Sequence, residues 1–528
     1  MENSYKNLDE TDAFKQLCTL PPVMDMNTHL TAELVQTAQV PMGEDLTYNY
    51  AAKAVDEAIL ATLQRLADEM AVVDQYRELL GGAVMNGSEQ RKVLHHLTRG
   101  QVGPIVEWQG RDLGSFYVTQ QQRVADFARR VHAGEIRGSG GDRFTHLCQI
   151  GIGGSDLGPR ALYLALQHGA RCRGSQFMTA SFISNVDPDD AAQNLANMDL
   201  ATTMFILVSK SGTTQETLTN ETIVRHALQQ QGLDPAAHLL AVTAENSPLA
   251  NGEDYLESFY IDDFVGGRFS STSAVGGTLL TLAFGAELFA ELLAGAHQQD
   301  QLALNSDILA NPALLDALIG VYERNCLGYP CTAVLPYSQA LSRFPAHLQQ
   351  LDMESNGKSV NRYGQPLNYA TGAVIFGEAG TNGQHSFYQL LHQGSDIIPL
   401  QFIGFRHAHG DDGLNVDGCS SQDKLNANLV AQIVAFAKGR DSEEPNRVFA
   451  GQRPSSLIYA ERLTPRIVGA LLAHFENKVM FQGFLWNVNS FDQEGVQLGK
   501  VLTQQLLTGC TRDAVLQGYA AYLGVLQP

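Results

Sequence analysis

The spacing of apolar residues along the chain changes near residue 144. From there, short apolar runs alternate with longer segments in which apolar side chains recur at helical spacing. The runs at 146–152, 176–183, 203–209 and 238–243 predict strands, and the segments between them predict helices. Strands that alternate with helices are typical of a parallel sheet that is covered on both faces.

A second block of this kind follows in the C-terminal half of the chain. Strands are predicted at 331–337, 372–377 and 395–405, and helices around 338–351, 384–393 and 422–438. The whole pattern therefore predicts an α/β protein with two doubly wound parallel-sheet units.

The two ends of the chain show helical spacing instead. The segments 61–80 and 88–97 predict helices, and a C-terminal helix is predicted near 514–526. The predicted organisation is an N-terminal helical segment that packs on the second unit (1–115), a first α/β domain (116–310), a second α/β domain (311–505) and a C-terminal helical arm (506–528).

Length and charge exclude several classes of protein. A chain of 528 residues is too long for one ordinary core. The net charge of −21, from 35 basic and 56 acidic residues, argues against nucleic acid or a membrane surface as a partner. No apolar run approaches the ~20 residues that span a bilayer, and residues 1–14 lack the features of a signal peptide. We therefore expect a cytoplasmic protein.

The cysteines indicate neither a disulfide framework nor a metal site. There are seven of them, and they lie far apart. Cys326 and Cys331 are close in sequence, but no second pair follows at metal-ligand spacing. We therefore expect reduced thiols and no bound metal.

Two turns rich in small residues follow predicted strands of the first unit. The turn after 146–152 contains Gly151, Gly153, Gly154 and Ser155, but it lacks the third glycine of the dinucleotide fingerprint. The second turn, VSKSGTTQET at 208–217, places hydroxyl groups and a lysine before a predicted helix. Each turn alone is compatible with a simple capped turn, whereas two of them on one sheet favour a phosphate site.

The segment QQLDMESNGKS contains a candidate general base. Asp352 and Glu354 follow a predicted helix beside a glycine turn, where a carboxylate can move a proton between adjacent atoms. Taken alone, a surface acid or a helix cap explains these residues better. The end of this segment is not a nucleoside-triphosphate loop, because the earlier glycine of that motif is replaced by Asp352.

Three cationic or titratable side chains complete the candidate chemistry. His385 is predicted at a helix start, where the dipole favours a neutral imidazole that can accept a proton. Arg268 precedes a serine-rich helix start, and a guanidinium there can stabilise an oxyanion. Asp492 and Gln493 precede a predicted helix that carries Lys500. A structural histidine and a solvated helix lysine are the simpler interpretations of His385 and Lys500.

The order of these motifs resembles that of the glucose-6-phosphate isomerase (phosphoglucose isomerase) family. IGIGGSDLGP, VSKSGTTQET, GGRFSSTSAVGG, QQLDMESNGKS, GTNGQHSFYQLLHQG and FDQEGVQLGK follow one another, and the similarity runs from about residue 85 to residue 500. The resemblance implies that both units are sugar-isomerase-type domains. It also implies interconversion of glucose 6-phosphate and fructose 6-phosphate without a cofactor.

The resemblance assigns roles to individual residues. Glu354 would move a proton between carbons 2 and 1 through a cis-enediol, and Arg268 would stabilise the enediolate. His385 and Lys500 would assist ring opening. In the family this histidine comes from the other subunit of a dimer, so a homodimer is expected. The implied substrate-binding residues are Gly154, Ser155, Ser209, Lys210, Ser211, Gly212, Thr213, Thr214, Gln350 and Gln493.

Some positions depart from the family pattern, and two other functions fit the same motifs. Ser211-Gly212 replaces the Thr-Phe of some members, Gln497 stands where Glu is usual, and Glu494 occupies a position that is often aromatic. None of these changes removes a proposed catalytic group. The alternatives are a non-catalytic sugar-phosphate sensor and an isomerase for another hexose phosphate.

Overall fold

A computed structural model describes residues 5–23, 25–43, 45–250, 252–410 and 413–525. The strands are β1 (Gln39–Pro41), β2 (Thr47–Asn49), β3 (Val84–Asn86), β4 (Arg91–Lys92), β5 (Glu107–Trp108), β6 (Arg111–Asp112), β7 (His146–Ile150), β8 (Thr179–Ile183), β9 (Thr203–Val208), β10 (Leu239–Ala244), β11 (Glu257–Ile261), β12 (Cys331–Pro336), β13 (Val374–Phe376), β14 (Leu400–Phe405) and β15 (Ser455–Ala460).

The α-helices lie between and around these strands. They are α1 (Asp12–Leu17), α2 (Met26–His29), α3 (Ala32–Thr37), α4 (Glu57–Glu69), α5 (Val72–Leu80), α6 (Leu113–Ala133), α7 (Leu157–Cys172), α8 (Pro188–Ala196), α9 (Gln215–Gln230), α10 (Ala274–Phe284), α11 (Ala286–Leu302), α12 (Pro312–Asn325), α13 (Phe344–Gln349), α14 (Tyr388–Gln393), α15 (Ser421–Lys438), α16 (Pro465–Leu485), α17 (Gln497–Leu507) and α18 (Ala514–Tyr522).

The first large sheet is parallel throughout, with strand order β11-β10-β9-β7-β8. Every residue of β9 and β10 is buried, as expected for strands covered by helices on both faces. The four strands predicted from apolar runs are present. The fifth strand, β11, escaped prediction because it begins with the polar pair Glu257-Ser258 at the sheet edge.

The second large sheet has the order β1-β2-β15-β14-β12-β13. Its strands β15, β14, β12 and β13 are parallel, whereas β2 pairs antiparallel with β15 and β1 pairs antiparallel with β2. The prediction of a parallel sheet is therefore right for four strands and wrong at one edge. The strands β1 and β2 come from the N-terminal segment, which is less helical than predicted because three-residue strands leave no periodic signal.

The N-terminal helix predictions need two corrections. The predicted helix 61–80 is divided into α4 and α5 by Ala71, whose φ of 49° is left-handed. The predicted helix 88–97 is wrong. Its first part forms the hairpin of β3 and β4, and only a short 3-10 turn follows at His95–Thr98. The apolar residues of this segment are buried as expected, but the hairpin and its polar contacts determine the backbone path.

The long helix α16 lies in the core and packs against α11 and α12. Apart from Arg466, all of its residues are buried, as expected for a helix that is apolar on every side. Its few polar side chains pair with neighbouring helices: Asn477 donates to Asp300 of α11 at 3.1 Å, and Lys478 lies 3.0 Å from Asp316 of α12. The helix thereby connects α11, which follows the first sheet in the chain, with α12, which leads into the second.

A disulfide joins the N-terminal segment to the end of α12. Cys18 and Cys326 are bonded although they lie 308 residues apart in sequence. The expectation of reduced thiols is therefore wrong for this pair, because sequence spacing cannot show that α1 lies beside α12. The free thiols are those of Cys148, Cys172, Cys331, Cys419 and Cys510. Among the residues that the structure describes, no helix has the length and apolar character to cross a membrane.

Because the disulfide closes a very long loop, reduction should destabilise the protein. We expect reductant, or the substitution Cys326→Ala, to lower the free energy of unfolding by about 2–5 kcal/mol. The measurement is a thermal melt with and without dithiothreitol. The free thiol of Cys331 provides the control, since Cys331→Ala should keep the response to reductant. A wild-type melt that does not respond to reductant contradicts the prediction.

Candidate active site

The two glycine- and serine-rich turns lie at the same edge of the first sheet. One turn follows β7 and leads into α7, and the other follows β9 and leads into α9. Since β7 and β9 are parallel neighbours, their carboxyl ends meet at one edge, where ligands bind in open α/β sheets.

The turn after β9 combines buried and exposed hydroxyl groups with a fixed backbone. Ser209 Oγ and Thr214 Oγ1 are 3.0 Å apart, and the Gly212 amide donates to Ser209 Oγ at 3.2 Å. Gly212 has a left-handed φ of 66°, and a Cβ there would clash with Ser247. The side chains of Ser211 and Thr213 are exposed. Thr214 precedes α9 without a capping bond from its own side chain, so this turn presents a helix N-terminus suited to an anion.

Lys210 connects this turn to the segment that leads to Arg268. Its Nζ donates to the Val265 carbonyl at 3.4 Å and lies 3.9 Å from Asp263. Burial lowers the pKa of Lys210, and the charge of Asp263 opposes that shift. Val265 lies three residues before Arg268 in the sequence. The contact of Lys210 with Val265 therefore joins the turn after β9 to the segment that carries the guanidinium.

Glycine permits the turn after β7 to approach two other parts of the site. A Cβ on Gly154 would lie 2.2 Å from the carbonyl carbon of Gly267, so only glycine fits there. A Cβ on Gly153 would come within 3.3 Å of Gln350 Nε2. Ser155 is half-buried, and its carbonyl accepts a hydrogen bond from Gln149 at 2.6 Å. The turn therefore lies between the Arg268 segment and the segment that carries Glu354.

Arg268 is buried and lies beside Glu354. Arg268 Nη1 is 3.3 Å from Glu354 Oε1, and Arg268 Nε donates to Ser355 Oγ at 2.7 Å. Nη2 donates to the carbonyls of Ser490 and Asp492 at 2.6 and 3.0 Å. Burial lowers the pKa of Arg268, but the charge of Glu354 opposes that shift and guanidinium remains protonated in proteins.

Glu354 ends a π-helical turn, Gln350–Glu354, that directly follows α13. Such turns are rare and often occur at functional sites. The Glu354 side chain is 20% exposed, so a substrate can reach the carboxylate while Arg268 holds it from behind. In the same turn, the Oε1 atom of Gln350 is buried and has no hydrogen-bond partner among the described residues.

The geometry distinguishes the two acids of this turn. Asp352 is buried, and burial raises its pKa to about 6 although the charge of Lys478 acts in the opposite direction. It lines an interior cavity together with Lys478 and Gln401, away from Arg268. Of the two acids, Glu354 is thus the one that lies beside Arg268 with a partly exposed side chain.

Three predicted site residues are exposed, and one of them, Gln493, directly follows Asp492, whose carbonyl accepts a hydrogen bond from Arg268. His385 is exposed, and it ends a 3-10 turn, Asn382–His385, instead of starting an α-helix; α14 begins three residues later. Gln493 is exposed before another 3-10 turn, and Lys500 is exposed on α17. No hydrogen bond or ion pair between described residues joins these three side chains to Glu354.

Two features of the site were missed by the sequence analysis. Ser355 and the main-chain carbonyls of residues 490 and 492 hold the guanidinium of Arg268. Ser355 directly follows Glu354, so its place in the motif was a usable signal. Main-chain carbonyls have no signal in the sequence.

The protein has an α/β fold, a turn suited to bind an anion, and a buried arginine beside an acid. These are the features of a sugar-phosphate isomerase. The family model described as phosphoglucose isomerase matches residues 49–522. The chain belongs to the phosphoglucose isomerase family.

Individual relatives agree with this assignment. Glucose-6-phosphate isomerase of Treponema denticola is 57% identical over 98% of this chain and 99% of the relative. That of Borreliella burgdorferi is 45% identical over 98% of both chains. A crystal structure of a glucose-6-phosphate isomerase from Chlamydia trachomatis superposes with a TM-score of 0.91 at 43% identity, covering 98% of this chain and 100% of that one. The family and the α/β fold class predicted from the sequence are confirmed, and the sensor alternative is not favoured.

The buried acid Asp352 should make stability depend on pH. Its pKa is raised from 3.8 to about 6 on folding, so the folded state loses stability as pH rises through this range. Asp352→Asn removes the ionisation. Above pH 6, the free energy of unfolding of this variant should exceed that of wild type by an amount that approaches about 3 kcal/mol.

Urea unfolding at two pH values measures this effect. The difference in the free energy of unfolding between Asp352→Asn and wild type should increase by about 1 kcal/mol between pH 5 and pH 8. The exposed acid Asp189 supplies the control substitution, Asp189→Asn. For this variant, the difference in the free energy of unfolding from wild type should not increase with pH. A gain that is equal at both pH values contradicts the prediction.

Proposed function

We propose that the protein interconverts glucose 6-phosphate and fructose 6-phosphate, a step of glycolysis. The family membership and the near-complete coverage of relatives that bear this enzyme's name support the proposal. The observation that carries it is the contact between Arg268 and the partly exposed Glu354 at 3.3 Å. A carboxylate and a fixed cation at one point are what proton transfer next to a carbonyl requires.

In the proposed complex, the turn after β9 binds the phosphate group. The hydroxyls of Ser209, Ser211, Thr213 and Thr214 would donate to the phosphate oxygens. The amides near Lys210 and Gly212 would add further donors. Binding the phosphate away from the reacting carbons orients the sugar chain and supplies binding energy for the chemical step.

The sugar would extend from this turn towards Glu354. Gly154, Ser155 and Gln350 would line its path, as the close approach of Gly153 to Gln350 suggests. Gln493 would contact the substrate from the segment that follows the Asp492 carbonyl.

Glu354 would act as the base in the isomerisation step. It would take the proton from carbon 2 of the open-chain aldose and deliver it to carbon 1, while the hydroxyl proton on carbon 2 passes to the oxygen on carbon 1. A cis-enediol forms in between. The buried guanidinium of Arg268 would stabilise the enediolate charge, because few water molecules compete for it there. The reaction moves hydrogen within one molecule and is balanced without a redox partner, so no cofactor is proposed.

His385 and Lys500 would assist ring opening in a homodimer. In one chain, His385 is exposed and makes no described contact with Glu354, which supports its delivery to the site of the partner subunit. The C-terminal helices support a dimer as well, because α17 buries none of its side chains. Their exposed apolar residues are Leu498, Val501, Leu507, Val515, Tyr519 and Tyr522. Unpartnered apolar surface of this extent is typical of an interface.

We further propose the division of the chain into segments 1–115, 116–310, 311–505 and 506–528. The pairing of β2 with β15 supports contact of the first segment with the second α/β domain. A cytoplasmic location is also proposed, because charged sugar phosphates do not cross membranes freely. In the cytoplasm, cellular thiols would reduce the Cys18–Cys326 disulfide.

Glu354→Gln tests the proposed base. The substitution keeps the shape of the side chain but removes its basicity. We expect kcat to fall by about 10²–10⁴-fold and solvent exchange of the carbon-2 hydrogen to fall in parallel. The exposed Glu287 on α11 offers the control Glu287→Gln, which should leave both rates unchanged. Near-normal exchange in Glu354→Gln would remove Glu354 from this role.

A mixed dimer tests whether His385 acts across the interface. Two impaired variants, Glu354→Gln and His385→Ala, are co-expressed with different tags, and the heterodimer is isolated by sequential affinity steps. If His385 acts in the partner's site, one of the two sites is intact and about half of the wild-type activity returns. If His385 acts within its own chain, both sites stay defective and no activity returns. Failure to isolate any dimer would contradict the homodimer itself.

A further inference from the structure

Asp492 lies where three distant segments of the chain meet behind Arg268. Its side chain is only 12% exposed. The three segments are the hairpin of β3 and β4, the residues that follow the π-helical turn, and residues 489–492. The reaction proposed above assigns no step to Asp492.

Both oxygens of the Asp492 carboxylate accept hydrogen bonds from donors on these segments. Oδ1 lies 2.5 Å from Lys358 Nζ. Oδ2 accepts from Ser88 Oγ at 2.8 Å and from Asn489 Nδ2 at 2.9 Å. Each partner donates, so the site is built for a carboxylate and not for an amide.

The main chain of the same residue holds the guanidinium. The Asp492 carbonyl accepts from Arg268 Nη2 at 3.0 Å, and Lys358 Nζ donates to that carbonyl at 3.3 Å. The side chain and the carbonyl of Asp492 are therefore fixed by one lysine. Any rotation of this residue would move an acceptor on which Arg268 depends.

The neighbouring carbonyl is held in a similar way. Ser490 O accepts from Arg268 Nη2 at 2.6 Å, and Ser490 Oγ donates to Asn356 Oδ1 at 2.7 Å. Asn356 in turn donates to the Val479 carbonyl of α16 at 3.0 Å. The position of Arg268 thus depends on the path of residues 490–492, and Asp492 anchors the C-terminal end of that path.

Charge adds to this geometry. The guanidinium of Arg268 is desolvated, and the negative charge of Asp492 is one of those that favour its protonated form. The carboxylate of Asp492 lies 2.5 Å from Lys358 Nζ, and its side chain is largely buried.

We propose that Asp492 is a positioning residue, whose carboxylate, held by Lys358 and Ser88, fixes the main-chain acceptors that direct Arg268 towards Glu354. This inference rests on the roles proposed above for Arg268 and Glu354. It places the action of Asp492 on the chemical step and not on binding of the phosphate group.

Asp492→Asn is the direct test. The amide has the same shape, but its NH2 group must face a donor, either Lys358 Nζ or Asn489 Nδ2. We expect kcat to fall by about 10–100-fold, because small displacements of a catalytic group reduce rates by such factors. KM for the sugar phosphate, and Ki for inorganic phosphate as a competitive inhibitor, should stay within about twofold of wild type, since a group that acts only on the chemical step leaves them unchanged.

Lys358→Met provides a second, independent variant and decides the matter if Asp492→Asn does not fold. It should reproduce most of the loss in kcat. The double variant should be little worse than either single one, since the two residues act as a unit.

A matched control separates positioning from general stability. Glu323 and Lys53 form another buried pair of a carboxylate and a lysine, 2.9 Å apart, which does not touch Arg268. Glu323→Gln should lower the melting temperature but leave kcat of the folded protein unchanged. The melting temperatures of all variants identify the folded fraction.

Each outcome has one meaning. If folded Asp492→Asn and Lys358→Met retain wild-type kcat while Arg268→Met loses activity, the inference on Asp492 is overturned and the proposed function stands. If Arg268→Met and Glu354→Gln also retain activity, the proposed function fails instead. Equal increases in KM and in Ki for phosphate, with kcat unchanged, would overturn positioning as well.

Discussion

The candidate site depends on one charged group, the guanidinium of Arg268, which is 2% exposed. A buried cation is unfavourable unless its donors are paired. Here Ser355, two main-chain carbonyls and Glu354 supply the pairing. Glu354 is the only partly exposed partner among those four groups. The guanidinium is therefore desolvated on the side of Ser355 and the main-chain carbonyls. On its other side it contacts a carboxylate that a ligand can reach.

Fold and site are connected through segments that are far apart in sequence. Parallel strands bring the turns after β7 and β9 to one sheet edge, and the contact of Gly154 with Gly267 joins that edge to the Arg268 segment. The π-helical turn approaches from the second half of the chain. None of these segments forms the candidate site alone, so the relative placement of the two halves determines whether Glu354, Arg268 and the two turns lie together.

Much of this arrangement could be predicted from the sequence, and the exceptions have physical causes. Long apolar runs such as β9 are unambiguous, because strands buried on both faces need them. The short strands β1 and β2 and the hairpin after Asn86 depend on tertiary pairing and were missed or mistaken for helix. The disulfide of Cys18 depends on proximity in space.

The same distinction applies to the site. Arg268 and Glu354 were selected by motif and lie together in the structure. His385, Gln493 and Lys500 make no described hydrogen bond or ion pair with Glu354 within one chain, and the roles of all these residues stay predictions. The main-chain acceptors of Arg268 could not be found from side-chain identities at all.

The buried polar residues of α16 have a consequence for how the two halves of the molecule stay aligned. Asn477 pairs with Asp300 on one neighbouring helix, and Lys478 pairs with Asp316 on the other. Sliding α16 by one residue would turn it by about 100° and place these groups against hydrocarbon. These pairings therefore fix the axial register of helix α16. They oppose sliding of one half of the molecule along the other, which would change the distances between the residues of the site.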